Sequence, residues 1–143
     1  STNDVTIKND ADADVIEIPT GTTDVTVAGK VTAGKIVLAS TDTDTSNTGN
    51  VTLDFSANQN FVLTLTANTT LVNPTTESVG QSGIIMLIQD GTGSRTLSLG
   101  TDYETVAGAG LTISTAANAV DVIPYFVKAS GSIQLGAPQL AFS

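Results

Sequence analysis

Apolar and polar residues alternate along this chain with a period of two, and no apolar repeat of helical spacing persists beyond a turn or so. Val51, Leu53 and Phe55 fall on one face of a first strand. Phe61, Leu63 and Leu65 fall on one face of the next, with Thr64 and Thr66 opposite and Asn58-Gln59-Asn60 as the turn between them. Leu71-Val72 is a short strand stopped by Asn73-Pro74, and Thr75 to Ser82 is a loop. Ile84 to Ile88 is an unbroken apolar run, too short for a globular helix and bounded by Gly83 and Asp90-Gly91. It predicts a strand buried on both faces, within the sheet or against a neighbouring subunit. Residues 90–94 turn the chain back into Thr96 to Leu99, giving a central hairpin. Leu111 to Ser114, Ala119 to Lys128, Ile133 to Leu135 and Leu140 to Phe142 complete the set. Pro124 marks an edge position or a bulge, and a C-terminus of strand character predicts a buried Phe142. Some eight short strands with Gly- and Asn-rich turns predict an all-β fold, an antiparallel β-sandwich of jelly-roll type.

Residues 1–50 differ from the rest. They hold only small alternating pieces, Val5-Thr6-Ile7, Val15 to Ile18, Val25-Thr26-Val27 and Lys35 to Leu38, and no aromatic residue precedes Phe55. Such pieces bury too little apolar area to stand alone. They predict an extended β arm that needs a partner surface, with Val5, Ile7, Ile16, Ile18, Val25 and Val27 as candidate oligomer or capsid contacts. Thr41 to Asn50 is polar enough to predict an exposed loop. The expected division is therefore an arm, 1–50, and a β-sandwich domain, 51–143.

Composition narrows the chemistry. About a quarter of the chain is Ser or Thr, Val, Ile and Thr dominate, and Glu, Leu, Lys and Arg, the surface helix formers, are scarce. With neither Cys nor His there can be no disulfide, no thiol nucleophile, no Cys/His zinc site and no Ser-His-Asp triad. The lack of Cys fits maturation in a reducing cytosol. Ser1 is what removal of an initiator Met would leave, and neither a signal pattern nor a membrane-length apolar stretch is present. Net charge is −9, and the five basic residues, Lys8, Lys30, Lys35, Arg95 and Lys128, are scattered. Neither nucleic acid nor an anionic membrane is an expected partner.

Asp10, Asp12 and Asp14 copy the first three ligand positions of a Ca²⁺-binding EF-hand loop, but Val15 stands where its glycine belongs and Gly21 where its glutamate belongs. A solvated acidic arm is the stronger reading and a Ca²⁺ site the weaker. The only glutamates, Glu17, Glu77 and Glu104, lie on separate segments, which argues against a glycosidase pair. Asp90 to Ser94 is followed by no helix that could present its N-terminus to a phosphate, and Arg95 is expected to form an ion pair or an interface contact. No catalytic residue and no cofactor are expected.

Four ordered pieces carry a family resemblance: Asn60-Phe-Val-Leu-Thr-Leu-Thr-Ala-Asn-Thr-Thr-Leu-Val-Asn-Pro, Gly80-Gln-Ser-Gly, Gln89-Asp-Gly-Thr-Gly-Ser-Arg-Thr-Leu and Ala116-Ala-Asn-Ala-Val-Asp-Val. Together, over about residues 50 to 143, they resemble a module of tailed-bacteriophage virion proteins, found in tail fibres, spikes and capsid-surface proteins. Thr26 to Lys35 is weakly similar to the short β repeats upstream of such modules. The resemblance implies a structural or binding module, usually trimeric. A small arm with one sandwich is the size expected of a capsid decoration (cement) protein. That protein would be a homotrimer on the outer capsid surface, clamping the major capsid protein by several weak footprints acting together. The alternative is a tail-fibre or baseplate-associated module for recognition of the host surface.

Overall fold

The structure is a computed structural model and describes residues 5–8, 14–18, 27, 30–32 and 36–142. The chain divides into two compact units, Ser1–Leu38 and Ala39–Ser143. In the first, β1 (Val5–Lys8) and β2 (Asp14–Ile18) pair antiparallel, Val5 opposite Ile18 and Ile7 opposite Ile16.

The second unit is all-β, with no α-helix among the described residues. Its strands are β3 (Thr41–Thr52), β4 (Asn60–Val72), β5 (Ser82–Gln89), β6 (Leu97–Leu99), β7 (Tyr103–Glu104), β8 (Val120–Ala129), β9 (Ser132–Leu135) and β10 (Gln139–Phe142). They form one open sheet in the order β3-β4-β5-β8-β9-β7, with β6 beside β4 and β10 beside β8. The sheet is mixed. β3, β5 and β6 all run parallel to β4, whereas β8 is antiparallel to β5, β9 and β10. A single mixed sheet thus stands where an antiparallel jelly-roll sandwich was expected.

The parallel pairing forces the sheet to curl. Thr52 lies beside Val72 and Thr41 beside Asn60, so residues 53–59 must carry the chain back from one end of β4 to the other. A straight strand of that length would span about 40 Å, but the link reaches at most about 28 Å. β4 must therefore bend, and the pairing shows where: the register slips between Asp44 and Gly49 of β3, opposite Leu63 to Thr69 of β4. Asn47 holds this corner. It is buried, its Nδ2 donates to the carbonyls of Asp44 and Thr64 (3.2 Å each), and its own carbonyl accepts from the Thr69 hydroxyl (3.2 Å). Unpaired extra residues in one strand bend it and tighten its twist.

β5 and β6 follow the same bend. β5 pairs with the first half of β4, Phe61 to Leu65, and β6 with the second, Thr69 to Leu71. They do not pair with each other, so the expected hairpin is absent and residues 90–96 form a loop at the corner. Asn58 to Asn60 likewise ends a return across the curl and is not a hairpin turn. That return brings Leu53 and Phe55 into the core, where Phe55 meets Phe61 at 5.0 Å and Tyr125 edge-on at 5.2 Å between ring centroids. The Asp54 carboxylate fixes the turn by accepting from the Ser56 hydroxyl (2.6 Å) and amide (3.0 Å) and the Ala57 amide (3.2 Å). Around these residues pack Leu63, Leu65, Leu71, Ile85, Leu87, Ile123, Val127 and Ile133. Gly83 is required here, because a Cβ would stand 2.0 Å from the Gln59 carbonyl oxygen.

Four further expectations are corrected. Thr41 to Asn50 is not a loop but most of β3, and it reads as polar because Asn47 is its single buried residue up to Thr52. Residues 111–114 form no strand, although Leu111 and Ile113 pack against the core. Pro124 sits in the interior strand β8. Its carbonyl accepts from the Gly136 amide, between the end of β9 and the start of β10, so its missing N–H faces a gap in the ladder. Phe142 is not buried; it is about half exposed, as is Leu140. The C-terminal strand is nonetheless tied down, since the Asp121 carboxylate accepts the Ala141 amide at 3.0 Å.

Candidate interaction surface

Alternation along the central strands sorts side chains to two faces. Ile85, Leu87, Ile123, Tyr125 and Val127 point into the curl and are buried. The positions between them lie on the outer face, and they too are apolar. Register places Met86 between Val62 and Val122, Ile88 between Thr64 and Val120, and Ile84 beside Pro124. Phe126 extends this face along β8, and Phe142 adds to it from β10, opposite Val120. Ile84, Met86 and Ile88 are half-buried, while Phe126 is 46 % and Phe142 48 % exposed. A run expected to be buried on both faces is thus buried on one face and left partly open on the other. No formal charge lies on this surface. The acidic residue of the same ladder, Asp121, points the other way and is buried, where its carboxylate accepts the amides of Ser114 (2.6 Å) and Ala141.

At the corner of the curl, polar side chains fix the loop after β5. Gln89 is buried. Its Oε1 accepts the Arg95 amide, and its Nε2 donates to the carbonyls of Arg95 and Ser114, each at 2.9 Å. The side chain thereby substitutes for a strand partner. Asp90 accepts the amides of Thr92 and Gly93 and pairs with the Arg95 guanidinium at 2.7 Å. The Arg95 hydrogen bond, above all, holds the Asp90 carboxyl below the ordinary carboxylate range. The ion pair expected for Arg95 is present, and it serves loop geometry.

Near β7, Glu104 accepts from the Ser132 hydroxyl (2.6 Å) and pairs with Lys128 (3.1 Å). These contacts, Ser132 first, lower its pKa. An open hollow of about 720 Å³ lies alongside, lined by Leu97 to Thr101, Tyr103 to Thr105, Ala107, Gly108, Gly110 and Leu111. The Tyr103 hydroxyl is buried without a hydrogen-bond partner, and burial pushes its pKa up. Burial likewise raises Tyr125 to about 12; its hydroxyl donates to the Gln59 carbonyl at 2.7 Å.

Of the residues singled out by sequence, Asp10, Asp12 and Val25 lie outside the described residues, and Asp14 opens β2. Among the described residues no group of three or more acidic side chains could hold a metal. Val5, Ile7, Ile16 and Ile18 are register partners across β1 and β2, and Val27 is half-buried. No helix of the described residues is long and apolar enough to cross a membrane. The sequence missed the outer-face residues as a group, although the unbroken run Ile84 to Ile88 was the signal that could have found them.

Comparison with known proteins bears on what this surface serves. No curated protein and no solved structure matches the chain. Residues 47–132, more than half of the chain, match one protein-family model. The match runs from the corner residue Asn47 to Ser132 at the start of β9, and so takes in β4, β5, β8 and the Gln89 loop. The chain therefore belongs to the family described as "Putative phage tail fibre C-terminal domain".

Proposed function

We propose that this protein is a structural component of a phage tail fibre, a non-enzymatic homotrimeric module that takes part in recognition of the host surface. The family match carries the reading: it supports a phage virion protein, and it favours the tail fibre over the capsid-shell role that the size of the chain had suggested. The physical character of the unit agrees. Its polar groups at the Gln89 loop and around Glu104 are consumed by internal hydrogen bonds and ion pairs, as suits a rigid scaffold. Immunogold labelling of intact particles with an antibody to this protein tests it. Label confined to the tail is expected. Label spread over the head would replace this reading with that of a decoration protein bound to the major capsid protein.

A further inference from the structure

We infer that copies of this chain associate through the outer face of the β4-β5-β8 sheet, centred on Met86 and Val122. The inference deepens the trimer reading above by naming its surface. Three observations carry it. First, the face is large. From β4 to β10 it is about 19 Å wide, and from Val120 to Phe126 about 23 Å long, hence about 450 Å² in projection. Its six central side chains are half-buried and its flanking Phe126 and Phe142 about half exposed, and an apolar face of this extent matches the largest patch of an ordinary monomer, which is often a functional one.

Second, charge selects the occupant. The chain carries −9, so two copies meeting through most of their surface bring like charges together. The outer face escapes this. Its centre is formed by Val62, Ile84, Met86, Ile88, Val120 and Val122, register neighbours without a formal charge among them, and Lys128 is the first charged residue on the outward side of β8. A neutral apolar face is complementary to its own copy, and charge depletion of this kind marks the cores of homo-oligomeric interfaces. Third, the side chains are pre-ordered. Five of the six are β-branched residues on the paired strands of one continuous ladder, so docking costs little side-chain entropy.

The full chain is tested by sedimentation equilibrium and cross-linking. Wild type is expected to be oligomeric at micromolar concentration. Val122→Asp places a carboxylate at the centre of the interface and should raise the dissociation constant by about a hundredfold or more. Since the chain has no cysteine, Val122→Cys and a control, Ser130→Cys in the exposed β8–β9 turn, isolate the geometry whether or not Val122→Asp folds. A short bismaleimide should join copies through Cys at 122 and leave the control uncoupled. A monomeric wild type, an unchanged mass for a folded Val122→Asp variant, or no coupling through position 122 would each overturn the inference. A dimer joined through this face would uphold the surface and reject the trimer.

Discussion

Replacing Gln89 by Leu tests whether one buried amide holds the corner of the curl. Leu roughly keeps the volume and the apolar packing, so the change isolates hydrogen bonding. Three backbone groups lose their partner: the Arg95 N–H, the Arg95 carbonyl and the Ser114 carbonyl. A buried polar group left unsatisfied costs about 1–3 kcal/mol. Arg95 and Ser114 are both only half-buried, so the lower end applies to all three groups, and the expected loss is about 3 kcal/mol. On a unit of this size that lowers the melting temperature by roughly 12–20 °C. The chain reports on itself: it has no Trp, and its two tyrosines, Tyr103 and Tyr125, are both buried in the same unit. Urea titration followed by tyrosine fluorescence, at matched protein concentration, gives the difference. A loss under about 1 kcal/mol, within the range of an ordinary surface substitution, would refute the account of Gln89 as a substitute strand partner. Asp90→Asn is the internal contrast. It removes the charge of a half-buried ion pair but keeps an oxygen to accept the Thr92 and Gly93 amides, and should cost about 1 kcal/mol.

Gly83→Ala drives a methyl group into the Gln59 carbonyl oxygen, a rigid backbone atom, and should destabilise by about 2–4 kcal/mol, read in the same urea titration. Tyrosine ionisation should be delayed in the native protein. Both folded-state pKa values are raised above 10, so the tyrosines' contribution is intact below pH 10 and is lost as pH rises through about 12 for Tyr125. Absorbance at the tyrosinate band should stay flat at pH 10.5 in buffer and be well developed in urea; identical curves would contradict the burial. Asp54, Asp90 and Glu104 have depressed folded-state pKa values. Their stabilisation is therefore full above the ordinary carboxylate range and declines as pH falls through about 4 and below, which a series of melting temperatures between pH 6 and 2 would follow.

The sequence declared the strands more readily than their partners. Phe61, Leu63 and Leu65 alternate because one face of β4 is buried, and that signal is local. The direction in which β4 pairs is not local. Parallel neighbours ordinarily require a crossover of a dozen residues or more, so a link as short as residues 53–59 reads as a hairpin. It makes a parallel connection only because both strands bend at Asn47, and the bend is built from register slips that leave no mark in the hydrophobic pattern. β3 failed to register as a strand for a related reason. It lies at the rim, where Thr, Asp and Ser side chains face water and Asn47 alone is buried up to Thr52. The candidate surface was half legible. Ile84 to Ile88 announced two apolar faces, but only the ladder from β4 to β8 shows that the outward residues of neighbouring strands join into one surface. The Gln89 loop was opaque, since a buried glutamine bonded to backbone at residue 95 has no sequence signature.

A parallel coil has no natural end: each added strand exposes a fresh row of N–H and C=O groups on which another could build. One such row belongs to β3, which has no second strand partner among the described residues. Its composition answers the hazard. Asp42 and Asp44 stand at its entry, and the register slips at Asp44 to Gly49 break the regular spacing that an incoming strand would need. β3 therefore works as a terminator, keeping the coil from becoming the seed of a fibril.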